Sequence, residues 1–225
     1  MKVAVVADAH LDGPGGPPAP LVAQLAALPA EGVERLILLG DIFQAWVGFR
    51  QYETPAVRAV LDAVGALRKA GVRVEYIEGN RDFFIGAGGY AAEFDFVGLE
   101  TSFEAGGRRF LAVHGDGLND RDRQYLAWRW LSKSWPVRTA IRSLPRRAVE
   151  RLVGSTERKL SNTNFKHKAA LPEAAIKRYG ERRLAEGFDS LLLGHFHEPR
   201  QLAVAGGEIR LLDAWFRGRK IESFG

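Results

Sequence analysis

Seven side chains able to bind a divalent cation stand just past apolar runs of this 225-residue chain: Asp8, His10, Asp41, Asn80, His114, His195 and His197. Asp8 and His10 follow Val3-Ala4-Val5-Val6-Ala7, and Asp41 follows Leu36-Ile37-Leu38-Leu39-Gly40. Asn80 comes after the run that ends at Ile77, His114 after Phe110-Leu111-Ala112-Val113, and His195 with His197 after Leu191-Leu192-Leu193-Gly194. One such histidine is ordinarily a surface residue or a satisfied core group. Four of the chain's five histidines in this setting point instead to one shared site of nitrogen and oxygen donors. Seven donors are too many for one metal ion and suit two. With no cysteine, thiolate sites and disulfides are excluded, so imidazole, carboxylate and amide oxygen must do the work.

Val3-Ala4-Val5-Val6-Ala7 is a continuous, β-branched run and Leu36-Ile37-Leu38-Leu39 repeats it, the pattern of a strand buried on both faces. Parallel sheets gather the ends of such strands along one edge, where α/β proteins place their sites. In an extended segment the Asp8-x-His10 spacing puts both side chains on one side. Between the strands, residues 21–28 read as a short helix. Thr54 and Pro55 read as the cap and first residue of a helix that Val57, Val60, Leu61, Val64 and Leu67 continue and Gly71 stops. Residues 86–89 form a Gly-rich turn, residues 98–104 short strands, and Gly106-Gly107 a hairpin turn; residues 208–212 and 219–224 close the sheets.

Composition sets the outer limits. A chain with 46% hydrophobic residues is large enough for one substantial core. A formal charge of +5 and a pI of about 9.6 favour an acidic partner. The N-terminus turns acidic at Asp8 before a signal core forms, and no apolar stretch is long enough for a membrane span. One domain over residues 1–225 is expected, with a helical insertion at 119–186. In that insertion Arg121, Arg123, Arg129, Lys133, Arg138, Arg142, Arg146, Arg147 and Arg151 interleave with Trp128, Trp130 and Trp135. Ordinary amphipathic helices with arginines reaching into water account for part of this. The alternatives are a cap for an anionic, partly apolar ligand, a seat on an anionic membrane, or a groove for single-stranded nucleic acid.

The order Asp-x-His, Gly-Asp, Gly-Asn, His, Gly-His-x-His resembles the signature of the calcineurin-like metallophosphoesterase superfamily in every block. The resemblance implies a four-layer αββα sandwich of two mixed β-sheets with two metals at the strand ends. It implies Asp8, His10, Asp41 and His197 around one ion, and Asp41, Asn80, His114 and His195 around the other, with Asp41 as the bridge. Such a pair activates water at neutral pH and neutralises charge on a phosphoryl transition state. All-nitrogen and oxygen ligation suits Mn²⁺ first, with Fe²⁺ or Zn²⁺ as alternatives. Most of the superfamily has histidine after Gly-Asn; here it is Arg81, always charged and able to grip phosphate bidentately.

Gly79-Asn80-Arg81-Asp82-Phe83 is similar to the pattern of the UDP-2,3-diacylglucosamine hydrolase family of lipid A biosynthesis. So are Gly40-Asp41-Ile42-Phe43 with Trp46 and Gly48, His114-Gly115-Asp116-x-Leu118, Asp122, Tyr125 and Arg129, and Ala214-Trp215. This resemblance implies attack of water on the α-phosphorus of UDP-2,3-diacylglucosamine, with UMP and 2,3-diacylglucosamine 1-phosphate as products. Asn80, Arg81, His114 and His195 would be catalytic, with Arg81 and His195 steadying the phosphates. Asp122 and Tyr125 would contact the glucosamine or phosphate region, and Asn164 and Lys166 are the nearest matches to the polar residues of the family's cap. The implied setting is the cytoplasmic face of the inner membrane, peripherally bound, with neither nucleic acid nor an obligate protein partner. A departure is Phe49-Arg50 after Gly48, where the family usually has an acidic residue. The alternatives are a relative acting on a soluble nucleotide pyrophosphate or phosphodiester, and, from another class, a nucleic-acid-binding protein or nuclease.

Overall fold

A computed structural model describes residues 1–119, 122–149, 151–152 and 171–225. The first sheet is built from β1 (Val3–Val6), β2 (Arg35–Leu38), β4 (Arg73–Ile77), β6 (Phe96–Gly98) and β12 (Glu222–Phe224), in the order β12-β1-β2-β4-β6. The second contains β7 (Glu100–Ala105), β8 (Arg108–Val113), β9 (Ser190–Leu193), β10 (Arg200–Val204) and β11 (Gly207–Leu211), in the order β10-β11-β9-β8-β7. Both sheets are mixed. β1, β2, β4 and β6 run parallel with β12 antiparallel, while β8, β9 and β11 run parallel between the antiparallel edges β7 and β10.

The period of two along each strand sorts the side chains into layers. Ala4, Val6, Leu36, Leu38, Val74 and Tyr76 face α1 (Ala19–Ala27) and α2 (Pro55–Lys69), meeting Leu21, Leu25, Val57, Val60 and Val64. The other faces of the same strands, Val3, Val5, Ile37, Leu39 and Ile77, meet Phe103, Phe110, Ala112, Leu192 and Phe224 of the second sheet and the closing strand. The outer face of the second sheet, with Leu191, Leu193, Ile209 and Leu211, is covered by Ile176 and Leu184 of α6 (Glu173–Leu184). Helix, sheet, sheet and helix make the expected four-layer αββα sandwich. As read from the sequence, Thr54 caps α2 by accepting from the Val57 amide at 3.2 Å, with Pro55 as the first helical residue.

Of the segment expected as an insertion, two described helices lie over the strand-end edge. They are α4 (Arg123–Ser132) and α5 (Trp135–Arg142). Ile141 and Val149 pack with Val47, Phe49, Tyr52 and Phe84, and the Tyr52 hydroxyl meets the Ile141 and Leu144 carbonyls at 2.6 and 2.7 Å. α6 belongs to the outer layer of the sandwich. β10, and the two-residue pairing of β3 (Trp46–Val47) with β5 (Asp82–Phe83), are elements that the sequence pattern did not reveal. The Gly-rich segment at 86–89 overlaps one turn of helix, Ile85–Gly88.

Candidate metal centre

The parallel strands β1, β2, β4, β8 and β9 all deliver their C-terminal ends to one edge, and all seven candidate donors meet there. His10 Nε2 lies 3.2 Å from His197 Nε2, and His197 Nε2 lies 3.1 Å from Asp8 Oδ1. Asp8, Asp41 and His114 offer a second set of donor atoms within 4.8 Å of one another. Asn80 Oδ1 joins it at 3.3 Å from His114 Nε2 and 2.9 Å from His195 Nδ1, with Asp41 Oδ2 3.6 Å from His114 Nε2. Asp8 is the carboxylate common to both three-residue groups.

The route by which Asp8 and His10 reach the same place differs from the extended spacing expected. β1 ends at Val6, and Asp8 and His10 both adopt left-handed backbone, with φ of 51° and 45°. Asp41, His195 and His197 do the same, at 53°, 66° and 55°. Left-handed conformation costs a non-glycine residue on the order of 1–3 kcal/mol and persists where surrounding bonds over-determine it. Here Asp8 N donates to Gly40 O at 3.1 Å, His10 N to Asp41 O at 3.0 Å, and His195 N to Asp8 Oδ2 at 2.8 Å. Strain is thus concentrated in the residues that carry the donors. Gly79 is needed for space rather than for a left-handed turn, since a Cβ there would collide with the Asp41 carboxylate and the His114 ring.

Supporting groups aim these donors. His114 Nδ1 donates to the Leu39 carbonyl at 2.9 Å, which leaves Nε2 free to bind on the site side. Asp82 is fully buried and accepts from Gly79 N, Asp41 N and the Tyr76 hydroxyl at 2.8, 2.9 and 2.9 Å. It therefore orients the Asn80 turn from behind. Arg81 N donates to Asp41 Oδ1 at 2.9 Å, its Nη1 to the Gln44 carbonyl at 3.1 Å, and its Nε lies 3.6 Å from Asp41 Oδ2. Its side chain stays 30% exposed at the rim.

The electrostatics favour cations. Burial pushes Asp41 up to about 7, opposed by His114 and reinforced by Asp82 and Asp8. His114 resists its own burial and rises to about 9 because Asp41, Asp8 and Asp116 face it. Burial drives His10 and His195 down to about 3, against the pull of nearby carboxylates, so both present neutral imidazoles. The protein thus sets two neutral imidazoles, His10 and His195, beside the buried carboxylates of Asp8 and Asp41, whose field keeps a proton on His114 that a bound divalent cation would displace. Among the described residues the buried His10 Nδ1 meets no hydrogen-bond partner, while Nε2 faces His197 and Asp8. The residues present fit two divalent ions.

The predicted substrate contacts are placed less directly. Asp122 caps α4, accepting from Tyr125 N at 2.9 Å, and the Tyr125 hydroxyl donates to Asp116 at 2.8 Å. Asn164, Lys166 and His167 lie outside the described residues. Of the three tryptophans, only Trp128 turns toward the site, edge-on to Phe83 with ring centroids 6.5 Å apart; Trp130 and Trp135 are 75% and 69% exposed. Among the described residues, the three rings therefore do not line one chamber. Sequence reasoning gave no role to Asp116, which Arg129 also pairs with, or to Lys133 and Glu78. Asp116 had a signal in the His114-Gly115-Asp116 block; Lys133 had none, being one of many basic residues in that stretch.

Comparison with known proteins follows the same lines. The model of the calcineurin-like phosphoesterase family matches residues 1–199. A UDP-2,3-diacylglucosamine hydrolase of Ralstonia nicotianae is 31% identical, over 93% of this chain and 82% of the relative. One of Xanthomonas campestris pv. campestris is 29% identical, over 92% of this chain and 87% of the relative. Among solved structures, a hypothetical protein of Pyrococcus horikoshii OT3 matches in fold, with a TM-score of 0.51 at 14% identity, covering 99% of this chain and 86% of that one.

Proposed function

We propose a specific reaction for this chain, which belongs to the calcineurin-like phosphoesterase family and, within it, to the UDP-2,3-diacylglucosamine hydrolases: cleavage of the pyrophosphate bond of UDP-2,3-diacylglucosamine. The products are UMP and 2,3-diacylglucosamine 1-phosphate. The observation that carries this reading is Arg81, a permanent charge at the rim of the seven-donor cluster, two residues before Phe83, whose ring meets Trp128 edge-on.

In this reading Asp8, His10, Asp41 and His197 would hold one divalent ion, and Asp41, Asn80, His114 and His195 the other, with manganese the first choice. When bound, the ions activate water and offset charge on the phosphoryl oxygens. The chain's own residues do the rest. Arg81 takes the substrate phosphates, its guanidinium kept in place by Gln44 and Asp41. His195 completes the phosphate grip from the opposite turn. Tyr125 and Asp122 stand at the start of α4 for the glucosamine, and Asn164 and Lys166 serve the same end of the ligand. Trp128 and Phe83 begin the apolar path for the acyl chains.

Two further features support a peripheral seat on the cytoplasmic face of the inner membrane. No helix among the described residues is long and apolar enough to cross a membrane. Trp130, Leu131 and Trp135 project from a basic stretch that includes the exposed Arg123 and Arg142, a surface suited to anionic lipid. The test is direct: purified protein with Mn²⁺ is offered the lipid nucleotide beside UDP-glucose and a simple phosphodiester. Preferential cleavage of the lipid nucleotide is expected. Loss of the simple diester alone, with the lipid nucleotide intact, would sink the reading.

A further inference from the structure

A lysine is almost never buried without a demanding partner. Lys133, the residue that closes α4, is only 15% exposed. Its ammonium donates to the Gly79 carbonyl at 2.8 Å and lies 3.6 Å from Glu78 Oε2. The other Glu78 oxygen accepts from Ile85 N at 2.8 Å. The Gly79 carbonyl belongs to the peptide that leads into Asn80, so its orientation helps decide where the Asn80 and Arg81 side chains point. The Gly79 amide is already held by Asp82, and the Arg81 amide by Asp41. Lys133 is the only one of these holds that comes from α4. Along the same helix, Tyr125 near its start and Arg129 in its last turn grip Asp116, two residues past His114. The helix is thus fastened to the turn after β4 and to the turn after β8.

We propose that Lys133 is a positioning residue, acting through the Gly79–Asn80 peptide to aim Asn80 and Arg81, so that the turn is competent only when α4 is seated. The proposal rests on the reading of that turn as the phosphate-handling part of the site. Lys133→Met keeps the length and apolar stem of the side chain and removes the donor; Lys133→Arg restores a donor.

Hydrogen exchange of the full-length chain, with and without Mn²⁺, reads the effect without any substrate. Lys133→Met should speed exchange of the peptide that holds the Gly79 and Arg81 amides by about tenfold and leave Val3–Val6 of β1 unchanged, with Lys133→Arg close to the parent. Acceleration that extends equally to β1 would make Lys133 a general stabiliser and overturn the proposal, as would unchanged exchange in the turn. With a chromogenic phosphodiester, Lys133→Met should lower kcat about tenfold with KM within about twofold, and should cost little more in an Arg81→Ala background. Fully additive losses would overturn it. If the parent protein ignores the lipid nucleotide but these shifts appear, the substrate assignment falls and the positioning role stands.

Discussion

Arg81 carries a permanent charge and no readily transferable proton, and it stands partly exposed beside Asp41 at the rim of the donor cluster. Its amide and guanidinium both lean on Asp41, and its exposed face looks outward from the rim. Arg81→Ala should therefore bind its metals at parental stoichiometry, because no donor atom is removed, and lose on the order of 100-fold in kcat. Elemental analysis beside steady-state kinetics checks both halves. Arg81→Lys should recover only part of the loss, since an ammonium lacks the bidentate fork. The donors themselves were legible in the sequence because each ends an apolar run. What was not legible was their backbone. Five of the seven are left-handed residues, and bonds to neighbouring strand ends hold Asp8, His10 and His195 among them, a property of how strand ends meet and not of local spacing.

Among the elements, the two sheets are tied together by charge as well as by packing. Glu75 of β4 is fully buried and meets Arg35 of β2 at 2.6 Å, Arg73 at 2.7 Å, and the Thr101 hydroxyl of β7 at 2.7 Å, so one carboxylate joins both sheets. Burial raises its pKa, but the Arg35, Thr101 and Arg73 bonds outweigh that and hold it below the ordinary 4.5. The folded state therefore binds fewer protons than the unfolded one. The contribution is fully present above 4.5 and is lost as pH falls through the lower folded value. Glu75→Ala should cost about 3–5 kcal/mol at pH 7, because Arg35 is left buried without its partner. Calorimetry should show the gap between Glu75→Gln and the parent narrowing only below about pH 4.5. A gap that is flat down to pH 3 would refute this account of the tie. The strands and helices that build the sheets were readable from their periodicity. β10 was missed because Arg200-Gln201-Leu202-Ala203-Val204 has one buried position and reads as a loop. The pairing of β3 with β5 was missed because two residues carry no period.

Among the described residues, the exposed Trp130, Leu131 and Trp135 share α4 and α5 with the exposed Arg123 and Arg142. The formal charge of +5 is mild, so an anionic surface should be met through local clustering as well as by net attraction. Partition onto vesicles containing phosphatidylglycerol should fall as salt rises, and Trp130→Ser with Trp135→Ser should weaken it severalfold while leaving turnover of a soluble diester unchanged. Equal partition onto neutral vesicles would contradict the electrostatic part. Isotopic water tests the proposed reaction most directly. Hydrolysis of UDP-2,3-diacylglucosamine in H₂¹⁸O with Mn²⁺ should place the heavy oxygen in UMP, because water attacks the α-phosphorus and the β-phosphate leaves with the sugar. Heavy oxygen in the diacylglucosamine 1-phosphate, or an intact substrate, would contradict it.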